Sequence, residues 1–361
     1  MTDASKTSFN VASKAGWMYF AVHFITELLC FFMMSRVIGD PVFLGTAAVL
    51  YNALAFVPQL MIGSFRDLVP GFKPGIIGVI MLVSGFVMFF LADDKGILFW
   101  TSLVLLCIGN ALIHVSGAEL TIRSSGGRLS PVAIFVSGGS FGLITGRVLA
   151  MTELSFWWIA AAGVLMLPMI IYAETFYRDV PDRNMECLGY NHTSPKRVIG
   201  VVIAAAFFIV TIRSFIGYGI PTSWNKTLIQ TVLLYVFMGT GKAMGGILSD
   251  RIGIRKTSFI SIIGAVPFLV FGDRIMIVSL IGVMFFSMTM AVTLGMLVSV
   301  MKIAPGAAFG VTTVGLFTGT ILALILKTDS LLINCFMIVI SSAVCFLLAS
   351  FVLKPSEKQM V

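Results

Sequence analysis

Long apolar stretches, separated by short polar connections, run along almost the whole chain. A helix needs about 20 mostly apolar residues to span the hydrocarbon core of a bilayer, and twelve stretches fit that length. The predicted spans are residues 16–37, 42–63, 74–92, 97–122, 131–151, 155–174, 197–218, 228–248, 257–271, 275–300, 306–326 and 331–353. The ninth is short and has the weakest support. The pattern predicts an all-α membrane protein with twelve transmembrane helices.

A polar link and an internal repeat divide the chain into two halves. The link reads YRDVPDRNMECLGYNHTSPKR, and we predict a six-helix bundle over 1–176, a cytoplasmic linker over 177–197 and a second six-helix bundle over 198–361. A G-x-x-x-D pattern follows the second span at Gly63–Asp67 and the eighth span at Gly246–Asp250, 183 residues later. Duplicated, pseudo-symmetric bundles are typical of secondary transporters, which bind their substrate between the repeats.

Composition and charge agree with a multi-pass protein of the cell membrane. Of the 361 residues, 58% are hydrophobic and 11% charged, and the mean hydropathy is +1.03, whereas about a quarter of a soluble protein is charged. If both termini are cytoplasmic, most Lys and Arg residues fall on the cytoplasmic side, as the positive-inside rule requires. The net charge of +8 therefore indicates orientation in the bilayer rather than nucleic-acid binding. We expect a monomer whose first helix is retained.

No motif for a cofactor, metal or ATP is present. The five cysteines form no C-x-x-C pair, and the chain lacks both H-E-x-x-H and a P-loop. A G-x-S-x-G pattern spans Gly138–Gly142, but a nucleophile elbow needs a strand-to-helix turn, and this pattern lies inside a predicted helix. We expect no enzyme, cofactor or metal, and keep an intramembrane enzyme built on Ser140 and a channel or structural bundle as remote alternatives.

Two ionisable residues in the first span are the best candidates for proton coupling. An ionisable side chain in a span is costly and therefore usually functional. Glu27 lies near the middle of the span, and His23 lies one turn before it on the same helical face. Because imidazole titrates near neutral pH, the pair can load and release a proton. The alternative is a hydrogen-bonded pair that only fastens the first helix to its neighbours.

Six other polar residues in the spans are candidates for a substrate cavity: Gln59, His114, Glu119, Arg147, Arg213 and Lys242. Gln59 and Lys242 are 183 residues apart, at matching positions of the two halves, which suggests facing walls of one cavity. If the two arginines also face inward, the excess of bases favours an anionic solute. Three alternatives stay open: Glu119 pairs with Arg123, the arginines extend to the membrane interface, and His114 is satisfied by a backbone carbonyl.

The stretch GGILSDRIGIRK resembles the loop signature of the major facilitator superfamily, which lies between paired helices in each half. The resemblance implies a cytoplasmic gating loop in which Asp250 is held by a helix N-terminus or a basic residue, while the nearby bases pair across the halves or with lipid phosphates. The first copy loses the pattern after its Asp. The predicted gating residues are Gly63, Asp67, Gly246, Asp250, Arg251, Gly253, Arg255 and Lys256.

Four longer segments are similar to fosmidomycin-resistance-type exporters within that superfamily. They are YNALAFVPQLMIGSFRD, GNALIHVSGAELTIRSSGGR, VSGGSFGLITG and MGGILSDRIGIRKTSFISIIGAVPF. Where family members carry His-Pro-Glu and Gly-Pro, this chain has His114-Val115-Ser116 and Gly146-Arg147. The resemblance implies a proton-coupled antiporter for drug or metabolite efflux by alternating access. The alternative is uptake or exchange of a small organic anion.

Overall fold

Within the residues that the structure describes, fifteen helices make up twelve segments long and apolar enough to span a membrane. The computed structural model describes residues 3–36, 41–92, 96–176, 190–194, 196–326 and 328–354, with side chains described outside 3–12 and 41–45. The helices are α1 (Asp3–Arg36), α2 (Pro41–Phe56), α3 (Pro58–Leu68), α4 (Pro74–Leu91), α5 (Ile97–Arg123), α6 (Ser130–Leu149), α7 (Phe156–Phe176), α8 (Ile199–Gly217), α9 (Leu228–Ile252), α10 (Ile254–Ile262), α11 (Ala265–Phe271), α12 (Met276–Ser287), α13 (Thr289–Val300), α14 (Pro305–Leu326) and α15 (Leu331–Val352).

All twelve predicted spans are present as helices long and apolar enough to cross a membrane. Three spans consist of two helices each. The second is interrupted at Val57, immediately before Pro58, because proline lacks the amide that a continuous helix would use. The ninth is interrupted around Gly264 and the tenth at Met288. The fold class predicted from the hydrophobic pattern is confirmed.

The junction between α9 and α10 differs from the prediction. The sequence predicts a charged loop from residue 249 to 256, but α9 continues to Ile252 and α10 begins at Ile254. A single residue, Gly253, reverses the chain with φ 89°, a conformation that residues with a Cβ rarely adopt. Arg255 and Lys256 therefore lie in the first turn of α10, and the ninth span is Ile254–Phe271.

Glycines let the helices of each half approach one another closely. A Cβ built at Gly142 would lie 2.1 Å from the backbone oxygen of Phe24, where α6 packs on α1. In the second half, a Cβ at Gly241 would lie 2.2 Å from the backbone oxygen of Met284, where α9 packs on α12. Small residues are used in this way in membrane interiors, because packing rather than the hydrophobic effect drives helix association there.

The two halves meet along two pairs of helices. α6 packs against α9, and α3 packs against α14. The ends of these helices that carry Asp67 and Asp250 lie at one end of the molecule, which we call the linker end. Residues 190–194 of the predicted linker lie there as well.

Residues 190–194 contact both halves at the linker end. The Tyr190 hydroxyl donates to the backbone oxygen of Arg128 at 3.0 Å and hydrogen-bonds the Ser125 hydroxyl, both in the first half. Thr193 forms an antiparallel bridge with Leu353, at the end of the second half. This short segment therefore connects the two halves by direct bonds. Residues 177–189 and 195 of the predicted linker lie outside the described residues.

Candidate functional site

A buried cluster of one carboxylate and two imidazoles occupies the interior of the first half. His23 and Glu27 lie one turn apart on α1, and His114 approaches from α5. The Nε2 atoms of the two histidines are 2.8 Å apart, and Glu27 Oε1 lies 3.9 Å from His23 Nε2 and 3.6 Å from His114 Nε2. All three side chains are at most 8% exposed. The structure thus adds His114 to the predicted coupling pair.

Backbone carbonyls hold both imidazole rings. His23 Nδ1 is 2.9 Å from the backbone oxygen of Phe135 on α6, and His114 Nδ1 is 2.9 Å from that of Asn110. The expectation that a carbonyl satisfies His114 is therefore correct, but the ring belongs to the cluster as well. Each ring is fixed by one nitrogen and presents the other to its partner.

Neutral polar side chains that the sequence analysis did not select surround Glu27. Asn110 Nδ2 donates to Glu27 Oε1 at 2.9 Å, and the Tyr51 hydroxyl donates to Oε2 at 3.2 Å. Asn110 also contacts the Tyr51 hydroxyl at 3.1 Å and Cys30 Sγ at 3.4 Å. The i, i+4 spacing of Asn110 and His114 could have indicated the first of these residues. Nothing in the local sequence indicated Tyr51.

The cluster has the size of a site for one cation. Suitable ligand atoms of His23, Glu27 and His114 lie within 4.8 Å of one another, and two imidazoles with a carboxylate are ligands that zinc accepts. A proton is the other cation that such atoms bind.

A small apolar cavity between the halves contains one basic side chain, Lys242. The first half contributes Val136 of α6 to its lining. The second half contributes Thr293 of α13 together with Phe309 and Thr312 of α14. Lys242 is partly exposed and close enough to Glu27 for the two charges to interact. The cavity and the buried cluster are therefore electrostatically connected.

The other predicted cavity residues lie elsewhere. Gln59 is fully buried, donates to the backbone oxygen of Ala55 at 2.6 Å and is not among the described residues that line the cavity with Lys242. The pairing of Gln59 and Lys242 as facing walls does not appear, because Gln59, on α3, turns back onto the end of α2. Arg147 is exposed near the end of α6, as the interface alternative expects.

Arg213 is buried inside the second half rather than in the cavity. Its Nη2 donates to the backbone oxygens of Ser261 at 3.1 Å and Phe286 at 3.0 Å. Its guanidinium carbon also lies 3.6 Å from the centre of the Phe286 ring. The alternative that Arg213 extends to the membrane interface does not hold either, because the charge is held by carbonyls and an aromatic face. Three inward bases in one cavity are therefore not observed.

Glu119 joins a charged network at the linker end. It pairs with Arg123 on the next turn of α5, and its Oε2 lies 3.4 Å from Nη2 of Arg66. Arg123 also reaches Asp67 Oδ1 at 3.4 Å. The simple Glu119–Arg123 pairing is present, and Glu119 lies outside the described cavity lining. Arg66, 5% exposed, was missed because it looked like an ordinary base at a membrane interface.

A second carboxylate missed by the sequence analysis is Glu174. It is 2% exposed, and its Oε1 accepts the Gly75 amide at 2.7 Å and the Ser116 hydroxyl at 2.8 Å. Ser116 in turn contacts the Tyr19 hydroxyl at 3.0 Å. Glu174 thus fastens the start of α4 to α5 and α7 within the first half.

Asp250 caps a helix of the opposite half. Its Oδ1 accepts the Leu129 amide at 2.8 Å, and its Oδ2 accepts the Ser130 amide at 2.9 Å. These amides begin α6, which has no side-chain cap of its own. A carboxylate there satisfies free amides and interacts favourably with the helix dipole. A Cβ at Gly246 would lie 2.4 Å from Ala133 Cβ, so this glycine permits the close contact.

Asp67 makes the equivalent contact with α14. The Gly306 amide donates to its Oδ1 at 3.2 Å, and the Ala307 amide donates to its Oδ2 at 2.8 Å. A Cβ at Gly63 would lie 2.3 Å from the backbone oxygen of Gly306. Each half therefore supplies a carboxylate to the first turn of a helix in the other half, and together these contacts close the linker end.

The predicted basic residues contribute less to this closure. Arg251, Arg255 and Lys256 are exposed at the linker end, and the described cross-half contacts of the second copy come from Asp250. Of the two alternatives for that carboxylate, the structure shows the helix N-terminus rather than a basic partner. The bases remain available to solvent and lipid.

Ser140 lies in a setting unlike that of a nucleophile. It is 2% exposed inside α6, and its hydroxyl has no hydrogen-bond partner. The G-x-S-x-G pattern is continuous helix rather than a strand-to-helix turn. The nearest glycine, Gly139, instead provides space for the ring of His23, because a Cβ there would lie 2.3 Å from His23 Nε2.

Comparison with known structures defines the fold class. The chain has the fold of major facilitator superfamily transporters. It is similar to the E. coli fucose:proton symporter FucP, with TM-score 0.62 and 12% identity over 94% of this chain and 99% of that chain. It is also similar to the human organic anion transporter MFSD10 (TETRAN), with TM-score 0.65 and 13% identity over 94% of this chain and 99% of that one.

A curated relative points to the same class. The chain is 24% identical over 246 residues to the fosmidomycin resistance protein of Escherichia coli (strain K12), and the match covers 62% of this chain and 60% of the relative. No family model matches the chain. The two structural relatives are described as transporters.

Proposed function

We propose that the protein is a secondary active transporter that moves a small organic solute across the cell membrane by alternating access, coupled to protons. The observation that carries this proposal is the buried cluster of His23, Glu27 and His114. It connects electrostatically to Lys242 in a cavity between the halves. A titratable group inside a membrane protein is costly to maintain, and its position beside a solute cavity suits coupling.

Alternating access accounts for the contacts at the linker end. Asp67 and Asp250 hold the halves together there through backbone amides, and these bonds must break for the cavity to open on that side. We place the linker end and both termini in the cytoplasm, on the evidence of the charge distribution. The proposed unit is a monomer, because one chain supplies both halves of the cavity.

Two solute classes are supported by different observations. Efflux of a drug or metabolite is supported by the similarity to the fosmidomycin resistance protein. Uptake or exchange of an organic anion is supported by the cavity, whose apolar lining contains a single basic side chain, Lys242. Such a lining suits a solute with an apolar body and one negative group. The proton symporter among the structural relatives supports proton coupling in either case.

Substitution of Glu27 tests the proposal. In proteoliposomes supplied with a panel of antibiotics and aromatic carboxylates, Glu27→Gln should abolish accumulation driven by a pH gradient and leave solute exchange measurable. The matched control is Glu153→Gln, which removes an exposed carboxylate and should behave as the wild type. Unchanged pH-driven accumulation in Glu27→Gln would reject the coupling role.

The two remote alternatives give different results in the same assay. Ser140→Ala should leave transport intact, whereas it would inactivate an enzyme built on that hydroxyl. A channel would show ion conductance without saturable solute exchange. The transporter is expected to show exchange that saturates with solute concentration.

A further inference from the structure

Two backbone carbonyls determine how many protons the histidine pair carries. A carbonyl oxygen only accepts, so the nitrogens that face Phe135 O and Asn110 O, His23 Nδ1 and His114 Nδ1, must both carry hydrogen. A neutral imidazole has a single N–H. If both rings were neutral, their Nε2 atoms would direct two lone pairs at each other across 2.8 Å. That distance is a hydrogen-bond distance, and it requires one more proton.

We propose that His23 and His114 share one proton between their Nε2 atoms, and that this pair, with Glu27 as its counter-charge, is the site that loads the coupling proton. The inference rests on the proposed function and refines it. His114 becomes an equal partner of His23, and Glu27 supplies the counter-charge. One bond forms on loading, from the proton to the pair, and the same bond breaks on release.

Two hydrogen bonds hold the Glu27 carboxylate beside the histidine pair. Each of its oxygens accepts a hydrogen bond, one from Asn110 Nδ2 and one from the Tyr51 hydroxyl. Hydrogen bonds to the charged form favour that form. With one proton on the histidine pair and one negative charge on Glu27, the loaded cluster is neutral as a whole. That arrangement reduces the cost of keeping charges inside the protein.

The geometry favours a proton over a metal ion. Two nitrogens bound to one tetrahedral zinc ion at 2.0–2.1 Å lie about 3.3 Å apart. The observed separation of the Nε2 atoms is 2.8 Å, about half an ångström too short for that arrangement. A proton shared between the two Nε2 atoms fits the observed separation, whereas a zinc ion would require the two rings to move apart.

Lys242 connects the proton site to the cavity. The charged groups that act on the histidine pair are Glu27 of α1 and Lys242 of α9. Cys30 of α1, Tyr51 of α2 and Cys107 of α5 lie around Glu27. The positive charge of Lys242 repels the shared proton and attracts the Glu27 carboxylate. The protonated histidine pair and Lys242 therefore compete for the same carboxylate. A negative solute group beside Lys242 would relieve this competition. Proton and anion should therefore bind cooperatively, and each should raise the affinity of the other.

Nitrogen NMR of the purified full-length protein in lipid nanodiscs tests the inference directly. The chain has three histidines, so uniform ¹⁵N labelling of histidine gives three ring systems, and His192→Gln identifies the third. We expect both remaining rings to show protonated Nδ1 and a scalar coupling between the two Nε2 atoms through one shared hydrogen. The spectra should be recorded over a pH range that extends on both sides of about 6.5, the pKa of a free imidazole.

Two substitutions change the pair without removing a member. Gly139→Ala places a methyl group 2.3 Å from His23 Nε2 and should abolish the coupling between the rings. The control Gly217→Ala meets nothing nearer than 3.8 Å and should preserve it. Lys242→Gln should shift loss of the shared proton to higher pH, whereas Lys256→Gln, an exposed charge on α10, should not.

The result that overturns the inference is a wild-type spectrum without the coupling at any pH in the titration. Ring signals that change on addition of a chelator or of Zn²⁺ would also overturn it, in favour of a metal site. These outcomes are separate from failure of the proposed function. A missing shared proton together with intact pH-driven transport rejects only this inference, whereas a shared proton without pH-driven transport rejects the proposed coupling.

Discussion

Replacement of Asp250 by Asn should open the linker end without disturbing the fold of either half. The carboxylate accepts two amides of the opposite half, at 2.8 and 2.9 Å. Asn keeps one acceptor oxygen and loses both the second acceptor and the negative charge. The perturbation is therefore small in volume and confined to one contact between the halves.

The expected change in the free energy of opening is the sum of two lost contributions. Removal of a helix-capping acceptor costs about 0.5–2 kcal/mol, and loss of a negative charge at a helix N-terminus costs about 0.3–1 kcal/mol. Because Asp250 is exposed, its charge is screened, and the lower part of these ranges applies. We expect a shift of about 1.5 kcal/mol, which changes the ratio of closed to open linker end about tenfold.

Distances between spin labels on the two halves measure this shift. Leu68 in the first half is 82% exposed and Ile303 in the second is 73% exposed, so cysteines placed there can be labelled without disturbing the core. In Asp250→Asn, the population with a long distance between the labels should increase about tenfold. Arg251→Gln, which changes the neighbouring exposed charge, is the matched control and should leave the distribution unchanged.

An unaltered distance distribution in Asp250→Asn would refute the capping argument. The equivalent substitution Asp67→Asn provides a second measurement, since Asp67 accepts the Gly306 and Ala307 amides. Because the two contacts join different helix pairs, the effects of the two substitutions on the free energy of opening should be approximately additive. A double variant no more open than either single variant would show that one contact alone controls closure.

Two other predictions concern the linker segment and the α1–α6 contact. Burial lowers the pKa of His192 below its ordinary value, against an opposing effect of Asp250, so the attached segment 190–194 is fully stable above about pH 6.5 and loses stability as the pH falls below it. Hydrogen exchange in this segment should accelerate at acidic pH, and His192→Gln should remove that dependence. Gly142→Ala would put a methyl group 2.1 Å from the Phe24 backbone oxygen and should lower stability by about 1–3 kcal/mol in thermal unfolding. Gly217→Ala has space for its methyl group and should leave the stability unchanged. Equal losses of stability in the two variants would contradict the packing argument.

The hydrophobic pattern predicted the fold because the bilayer fixes the length of each spanning helix. The error at the ninth span arose because Arg255 and Lys256 resembled loop residues. A single glycine, Gly253, is enough to reverse the chain, so these bases begin a helix. Hydropathy alone does not distinguish a charged loop from a charged first turn.

The candidate site was only partly predictable, for reasons of distance along the chain. Glu27 and His23 share a helix, so their proximity followed from i, i+4 spacing. The contact between His23 and His114 joins α1 and α5, and Asn110 and Tyr51 are neutral residues that carry no conspicuous cost in a span. The predicted partnership of Gln59 with Lys242 relied on the repeat, which aligns backbones but does not determine the direction of a side chain.

The use of peptide amides at the linker end has a consequence for sequence variation. The groups of the opposite half that Asp67 and Asp250 bind are main-chain N–H groups, which every amino acid except proline provides. Residues 129, 130, 306 and 307 can therefore drift, subject to the space available to them, without loss of a donor. The acceptors have no such freedom, so these cross-half hydrogen bonds depend on two aspartates, one in each duplicated half, while Gly63 and Gly246 must keep the space that the contacts need.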